Sequence, residues 1–221
     1  MIAEELINQM IPPLKVSDSA EKAKKWMEEL RLTQLPVVEN NNFLGLLEEQ
    51  ALYEKNDFSG PISNIRLVNK ELVVKPTSHF YDVIKLASKN KLQIVPVVSD
   101  DSKFVGVISV NETSFAMAQM FATQGPGGII VLSMQDKDYS LSQISRLVEA
   151  NDSKILSSFV SNDELDPNKI KLTLKLNRTD LTRIVATFER YDYKIIANFQ
   201  ENELTSHDKE RLDLLFKYLN I

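Results

Sequence analysis

Cysteine is absent from all 221 residues of the chain. That absence excludes a disulfide framework, a thiolate zinc site, an iron–sulfur cluster and a cysteine nucleophile. Histidine is nearly as scarce. His79 and His207 stand far apart, with no second histidine or cysteine at ligand spacing, so a metal centre would have to be built mostly from carboxylates. No apolar run approaches the roughly 18 residues that a membrane span requires. The opening residues Met1-Ile2-Ala3-Glu4-Glu5-Leu6-Ile7 lack the basic and apolar regions of a leader, so a cytoplasmic location is expected. Positive charge is in deficit, 26 Lys and Arg against 31 Asp and Glu for a net −5. With no basic cluster visible, nucleic acid is not an expected partner.

What is present is an ordinary globular composition, 43% hydrophobic and 26% charged, long enough for one large domain or two small ones. The first half repeats itself. Leu35-Pro36-Val37-Val38 followed by Phe43-Leu44-Gly45-Leu46-Leu47 returns as Val95-Pro96-Val97-Val98 followed by Phe104-Val105-Gly106-Val107-Ile108. The offset is 60 at the prolines and 61 at the glycines, the difference falling in a loop. A helical period precedes each copy, Ala20, Ala23, Met27 and Leu30 in the first, Phe80, Val83, Ile84 and Ala87 in the second. Asp18 and Glu21 have capping-box spacing, and Thr77-Ser78 offer hydroxyl caps. The unit is helix, strand, turn, strand.

This unit resembles the CBS domain, here as the tandem pair called a Bateman module. The resemblance covers roughly residues 1–122, with repeat one at 1–58, a linker at 59–70 and repeat two at 71–124. Bateman modules commonly pair as two-fold discs, so a homodimer is implied.

The second half has another plan. Gly125-Pro126-Gly127-Gly128 gathers half of the six glycines and reads as a turn or hinge. A phosphate-cradling loop would have to lead into a helix, whereas 129–134 reads as a strand. Leu141, Ile144, Leu147 and Val148 mark a helix opened by Ser140 and Gln143 at capping-box spacing. Strands follow at 155–160 and 170–176, the second alternating Leu172, Leu174 and Leu176 with Lys171, Thr173 and Lys175. A helix capped by Thr179 or Asp180 and a strand at 194–199 complete the order βαββαβ, a ferredoxin-like arrangement. It resembles the ACT domain over residues 127–201. The fold class expected is α+β, two CBS repeats plus an ACT-like domain. An amphipathic helix at 206–221 with Leu212, Leu215, Phe216 and Leu219 has an apolar stripe to dock on the body or on a second subunit.

CBS modules that bind adenosine nucleotides carry Gly-apolar-apolar-Ser/Thr-x-x-Asp, the resemblance implying that the hydroxyl meets phosphate or ribose and the carboxylate grips the ribose diol. Copy two reads Gly106-Val107-Ile108-Ser109-Val110-Asn111-Glu112, with Glu in place of Asp. Copy one reads Gly45-Leu46-Leu47-Glu48-Glu49-Gln50-Ala51, placing a negative charge where phosphate would lie. The expected site is therefore asymmetric, built in copy two on Ser109 and Glu112 with Val95 and Pro96, Thr77 as a further donor and Arg66 as a phosphate contact. The structural alternative for Ser109 and Glu112 is a helix N-cap with an acid in its first turn, and for Thr77 and Arg66 it is a plain surface role.

In the ACT-like half, Asp136-Lys137-Asp138-Tyr139 puts tyrosine where the family's ligand-binding turn has glycine, and Lys154 stands where Asn is frequent. That domain reads mainly as an assembly or partner-binding element, with amino-acid sensing as the alternative. Asp100-Asp101 and Asp136/Asp138 fall in turns where solvated Asp is the default, and His79 sits by a helix start, so catalysis is not expected. The functional expectation is a non-enzymatic sensor of AMP, ADP, ATP or S-adenosylmethionine, with no cofactor beyond that regulatory nucleotide and an unidentified protein partner. The rival is a ligand-free scaffold.

Overall fold

The computed structural model describes residues 1–54 and 58–200. The chain divides into two compact units, Met1–Met117 and Ala118–Ile221. The expected helix at 206–221 lies outside the described residues.

The first unit shows the duplication in three dimensions. Copy one contributes β1 (Leu14–Lys15), α1 (Ala20–Leu30), β2 (Gln34–Glu39), β3 (Asn42–Glu48) and α2 (Glu49–Tyr53). Copy two contributes α3 (Phe80–Asn90), β4 (Ile94–Val98), β5 (Phe104–Ser109) and α4 (Val110–Met120). β1 runs parallel to β2 with Leu14 opposite Val37, and Val74 bridges Val97 in the same sense. Both hairpins are antiparallel and break register at the same place, Val37/Val38 and Val97/Val98. α1 and α3 end alike, on Arg31 and Lys91 in the left-handed conformation with φ of 54° and 52°. Apolar spacing explains the helices. Ala20, Ala23 and Met27 of α1 and Phe80 and Val83 of α3 are buried, and one apolar core joins the two copies from Ala3 to Ile108. Burial of this kind contributes about 25 cal/mol per Å² of apolar surface.

Two caps sit one residue later than the spacing predicts. The N-cap of α1 is Ser19, whose Oγ accepts from the Lys22 N–H at 3.2 Å, while Asp18 accepts from the Lys15 N–H at 2.8 Å and pairs with Lys22. The N-cap of α3 is His79, whose Nδ1 accepts from the Tyr81 N–H at 3.2 Å. Ser78 instead closes a turn by accepting from the Lys75 N–H. Runs of adjacent capping-competent residues make the cap position degenerate in sequence.

The second unit contains β6 (Ile129–Gln135), α5 (Leu141–Glu149), β7 (Ile155–Asn162), β8 (Lys169–Leu176), α6 (Thr182–Arg190) and β9 (Lys194–Phe199). The sheet order is β7-β8-β6-β9, antiparallel throughout. This is the split-βαβ order, with the first and third strands central. Leu172, Leu174 and Leu176 are fully buried, with Ile144, Leu147 and Val148 of α5 and Ile184 and Phe188 of α6 in the same cluster. Ser140 makes no cap hydrogen bond to the α5 backbone, and Asp180 accepts from the Thr182 N–H at 2.9 Å. Gly127 and Gly128 do not behave as a hinge. Gly127 has φ of 145° and a Cβ there would strike the Leu176 carbonyl, while the Gly128 N–H donates to the Arg178 carbonyl at 2.6 Å. Gly125 alone of the three has open space around it.

Candidate functional site

Each copy of the repeat is edged by a segment belonging to the other. Near the N-terminus, the Asn8 N–H donates to the Val107 carbonyl of β5 at 2.8 Å, and a Cβ on Gly106 would strike Ile7. Between the copies, Val68 and Leu46 of β3 exchange both backbone hydrogen bonds, at 2.7 and 2.9 Å. A Cβ on Gly45, where φ is 146°, would lie 2.8 Å from the Val68 carbonyl. The exchange continues upstream. The Ala3 and Glu4 N–H groups donate to the Ser78 and Pro76 carbonyls, and those of Ile62 and Ser63 donate to the Asp18 and Val16 carbonyls. The glycine of each apolar-Gly-apolar strand is thus the point of close approach for the incoming segment.

Copy two's predicted pair, Ser109 and Glu112, comes together at the end of β5 and the start of α4. Ser109 is buried at 5% exposure. Its Oγ accepts from the Asn111 N–H at 3.2 Å and donates to Glu112 Oε2, which also accepts from the Ser109 N–H at 3.1 Å. The arrangement is close to a capping box at the N-terminus of α4, the hydroxyl accepting from a first-turn N–H and the carboxylate three residues on accepting from the N–H of Ser109. The other oxygen, Oε1, accepts from Asn8 Nδ2 at 2.8 Å. Glu112 therefore ties the start of α4 to the segment that arrives from the N-terminus. Asn8 carries no periodic signal and was not singled out by the sequence.

The equivalent corner of copy one is occupied differently. Glu48 Oε1 accepts from Gln34 Nε2 at 3.1 Å, and Gln34 Oε1 accepts from the Gln93 N–H at 3.1 Å. Gln93 Oε1 in turn accepts from the Thr33 N–H and hydroxyl at 2.8 and 3.0 Å. These amides stitch the two copies together where β2 and β4 begin. Ala51 offers no polar group there.

The remaining candidates are scattered. Val95 and Pro96 are buried within β4, paired with Ile108 and Val107 of β5. Thr77 is exposed in the turn before α3. Arg66 is exposed and directly precedes Leu67 and Val68, so it borders copy one's β3 rather than Ser109 and Glu112. In the second unit, Asp136–Asp138 form a short 3-10 turn, and Tyr139 packs on the core. Lys154 is exposed, its backbone held by Asn177. Among the described residues, no group of three or more His, Asp or Glu is placed to hold a metal ion, and no helix is long and apolar enough to cross a membrane.

The family model described as a CBS domain matches residues 62–113, which include the exchanged segment, both strands of copy two and Ser109 and Glu112. The chain carries a CBS domain. Since copy one repeats its strands, register breaks and helix ends, the first unit has the fold of a CBS-domain pair. Inosine-5'-monophosphate dehydrogenase of Korarchaeum cryptofilum is 23% identical over 126 residues, 57% of this chain. The match spans only 26% of that enzyme. A CBS domain pair/ACT domain protein from Thermotoga maritima has 16% identity and a TM-score of 0.49, with 53% of this chain and 96% of that one covered. The protein CBSX2, solved in complex with AMP, has 21% identity and a TM-score of 0.46, with the same coverage of 53% and 96%.

Proposed function

We propose that this CBS pair is a regulatory sensor binding the adenosine part of a nucleotide or of S-adenosylmethionine at the Ser109–Glu112 corner of copy two. The observation that carries the reading is the single side-chain hydrogen bond from Asn8 to Glu112 Oε1. An ionised carboxylate only accepts hydrogen bonds, and a ribose hydroxyl is a donor of the same reach as the Asn8 amide. Ligand entry then exchanges one donor for another at Oε1 and releases the arm that Asn8 anchors. That difference in contacts between bound and free states is what a population shift requires. Copy one has Ala51 at the position of Glu112, so it has no carboxylate there to make such an exchange.

Calorimetry and thermal shift with AMP, ADP, ATP and S-adenosylmethionine test this. One ligand raises the melting temperature, Glu112→Ala and Ser109→Ala each weaken it at least about 10-fold, and Asn8→Ala tightens it by removing the competing donor. No stabilisation by any of the four at millimolar concentration would falsify the reading.

The second unit supports assembly, an ACT-like role in joining copies of a cytoplasmic homodimer. β7 is an edge strand of eight residues with no charge and no proline, and Leu156, Phe159 and Val160 stand 42–45% exposed. Edges of that kind invite pairing. Lys154 precedes the strand and Asp163 and Glu164 follow it, so antiparallel pairing with a second β7 sets unlike charges opposite each other. Sedimentation of Lys154→Glu, of Glu164→Lys and of the charge-swapped double variant distinguishes the cases, Asp163 being already paired with Lys171. Each single change weakens the dimer and the swap restores it, whereas a wild-type chain that stays monomeric at micromolar concentration removes the proposal.

A further inference from the structure

The duplication supplies its own control, because α1 and α3 have the same length, the same buried face and the same terminal conformation. On α1, Asp18, Lys22 and Trp26 form a row. Lys22 Nζ bonds Asp18 Oδ1 at 2.8 Å and lies 4.4 Å from the centre of the Trp26 ring, while the half-buried indole packs on the core. Beside that row, Lys25 and Glu29 form an i,i+4 ion pair at 3.8 Å. Copy one is thereby complete in itself, an aromatic ring covered by a cation and a cation answered by an acid.

On α3 the corresponding row is Ser78, Asp82 and Leu86, and the corresponding pair is Lys85 and Lys89. The indole has become a leucine and the acid a second lysine. A groove of about 420 Å³ opens there, with Leu72, Val73 and Leu86 among its apolar lining and Lys75, Lys85 and Lys89 among its charged lining. Lys75 is occupied, bonded to the Ser99 carbonyl at 2.9 Å and paired with Asp100 at 3.3 Å. Lys85 and Lys89 have no ion-pair partner among the described residues. Two ammonium groups at i,i+4 on one helix face repel each other, and the second sits in the last turn of α3. Asp82 is the one acid in the lining, so the groove carries a net positive charge.

We propose that this groove binds a small aromatic anion, a flat ring bearing one carboxylate, sulfonate or phosphate group. The ring rests on Leu72, Val73 and Leu86, in the place that Trp26 fills on copy one. The anion lies between Lys85 and Lys89, as Glu29 answers Lys25. Apolar lining with a few convergent polar groups is the usual composition of a small-molecule site. The groove uses neither Ser109 nor Glu112, so the inference stands independently of the nucleotide reading.

Indole-3-acetate is the probe and uncharged 3-methylindole its control, titrated by calorimetry into the full chain. Saturable binding of indole-3-acetate is expected, with 3-methylindole weaker. Leu86→Trp, which fills the groove as copy one is filled, abolishes binding of both probes. Lys89→Glu, which recreates the copy-one ion pair, weakens indole-3-acetate about 10-fold or more and leaves 3-methylindole unchanged. Circular dichroism checks that each variant folds, and Lys89→Glu, on an exposed side chain, keeps the test open if Leu86→Trp does not. Unaltered indole-3-acetate binding in folded Leu86→Trp overturns the proposal, as does failure of the wild type to bind at millimolar concentration. Loss of an oligomer in Leu86→Trp without any probe binding to the wild type also overturns it, because the groove then receives a side chain of a second copy.

Discussion

The two repeats share a backbone down to their register breaks and differ in what their side chains leave undone. In copy one the helix row Asp18-Lys22-Trp26 is closed upon itself, and Glu48 is spent on Gln34. In copy two the matching helix row leaves a groove on α3, Ser109 stands in place of Glu48, and Glu112, in place of Ala51, is held across the unit by a distant asparagine. One half of a duplication can thus serve as structure while the other keeps groups available for exchange. Fold-level similarity alone says nothing about which half does which. The distinction lies in individual side chains.

The first way to break the comparison is at the helix starts. Ala20 and Phe80 open α1 and α3 and are both buried, at 1% and 0% exposure. Copy two rests on a ring where copy one needs only a methyl group. Phe80→Ala is expected to cost about 3–5 kcal/mol in urea unfolding, the usual range for deleting a buried ring. A loss below about 1 kcal/mol would mean that Phe80 is not part of what holds α3.

A second, smaller effect separates the two glycines of close approach. Alanine at Gly45 meets the Val68 carbonyl in a positive-φ conformation, whereas alanine at Gly106 meets the Ile7 side chain. Both cost about 1–3 kcal/mol as local overpacking. Ile7→Ala should recover part of the loss in Gly106→Ala, while no side-chain trimming should help Gly45→Ala. Equal rescue of both variants in a double-mutant cycle would show that the arms are not held as described.

The smallest effect is electrostatic. Burial raises the Asp18 carboxyl, but the hydrogen bonds from Lys22 and from the Lys15 N–H outweigh it and hold the group below its ordinary 3.8. A carboxylate lowered in the folded state contributes stability that is present above its unfolded value, about 3.9, and is lost as pH falls through the lower folded value. Asp18→Asn is therefore expected to cost under about 1 kcal/mol at pH 7, given the exposed lysine partner. The gap from wild type should narrow below about pH 4. Ser78, its counterpart, has no such dependence, so Ser78→Ala should give a gap that stays flat with pH. Thermal melts across pH 2.5–7 compare the two, taken as about the span of the titration.

Much of this architecture was legible because it is written in local patterns. The Pro36/Pro96 and Gly45/Gly106 strands and the leucine alternation of β8 appear where periodicity puts them. Ser109 and Glu112 are legible as a helix N-cap and a first-turn acid from their spacing, and as a ligand pair only through the resemblance to the CBS family. The exchanged arms were not, since contacts such as Asn8 to Val107 and Val68 to Leu46 involve one or two residues each and leave no period to detect. For the same reason the sequence offers Arg66 of the linker as a phosphate contact without showing that its neighbours Leu67 and Val68 edge copy one. Val95 and Pro96 carry the family pattern, yet their burial in β4 is a core property that a ligand motif also predicts. The caps shifted by one residue because Ser17-Asp18-Ser19 and Thr77-Ser78-His79 each offer several suitable acceptors.

The crossed arms carry a consequence for how the first unit comes into being. Neither repeat owns every strand edge that it needs, so a solitary repeat would lack a border and its partner would hold it. The arrangement is that of two protomers that have traded extensions and then been joined end to end. Pairing residue 8 with residue 107 raises the contact order, and the N-terminal arm cannot close before copy two is in place. A chain severed between the repeats should yield fragments that fold only on meeting. Inheritance must then keep both repeats, leaving divergence of their side chains as the freedom that duplication brought.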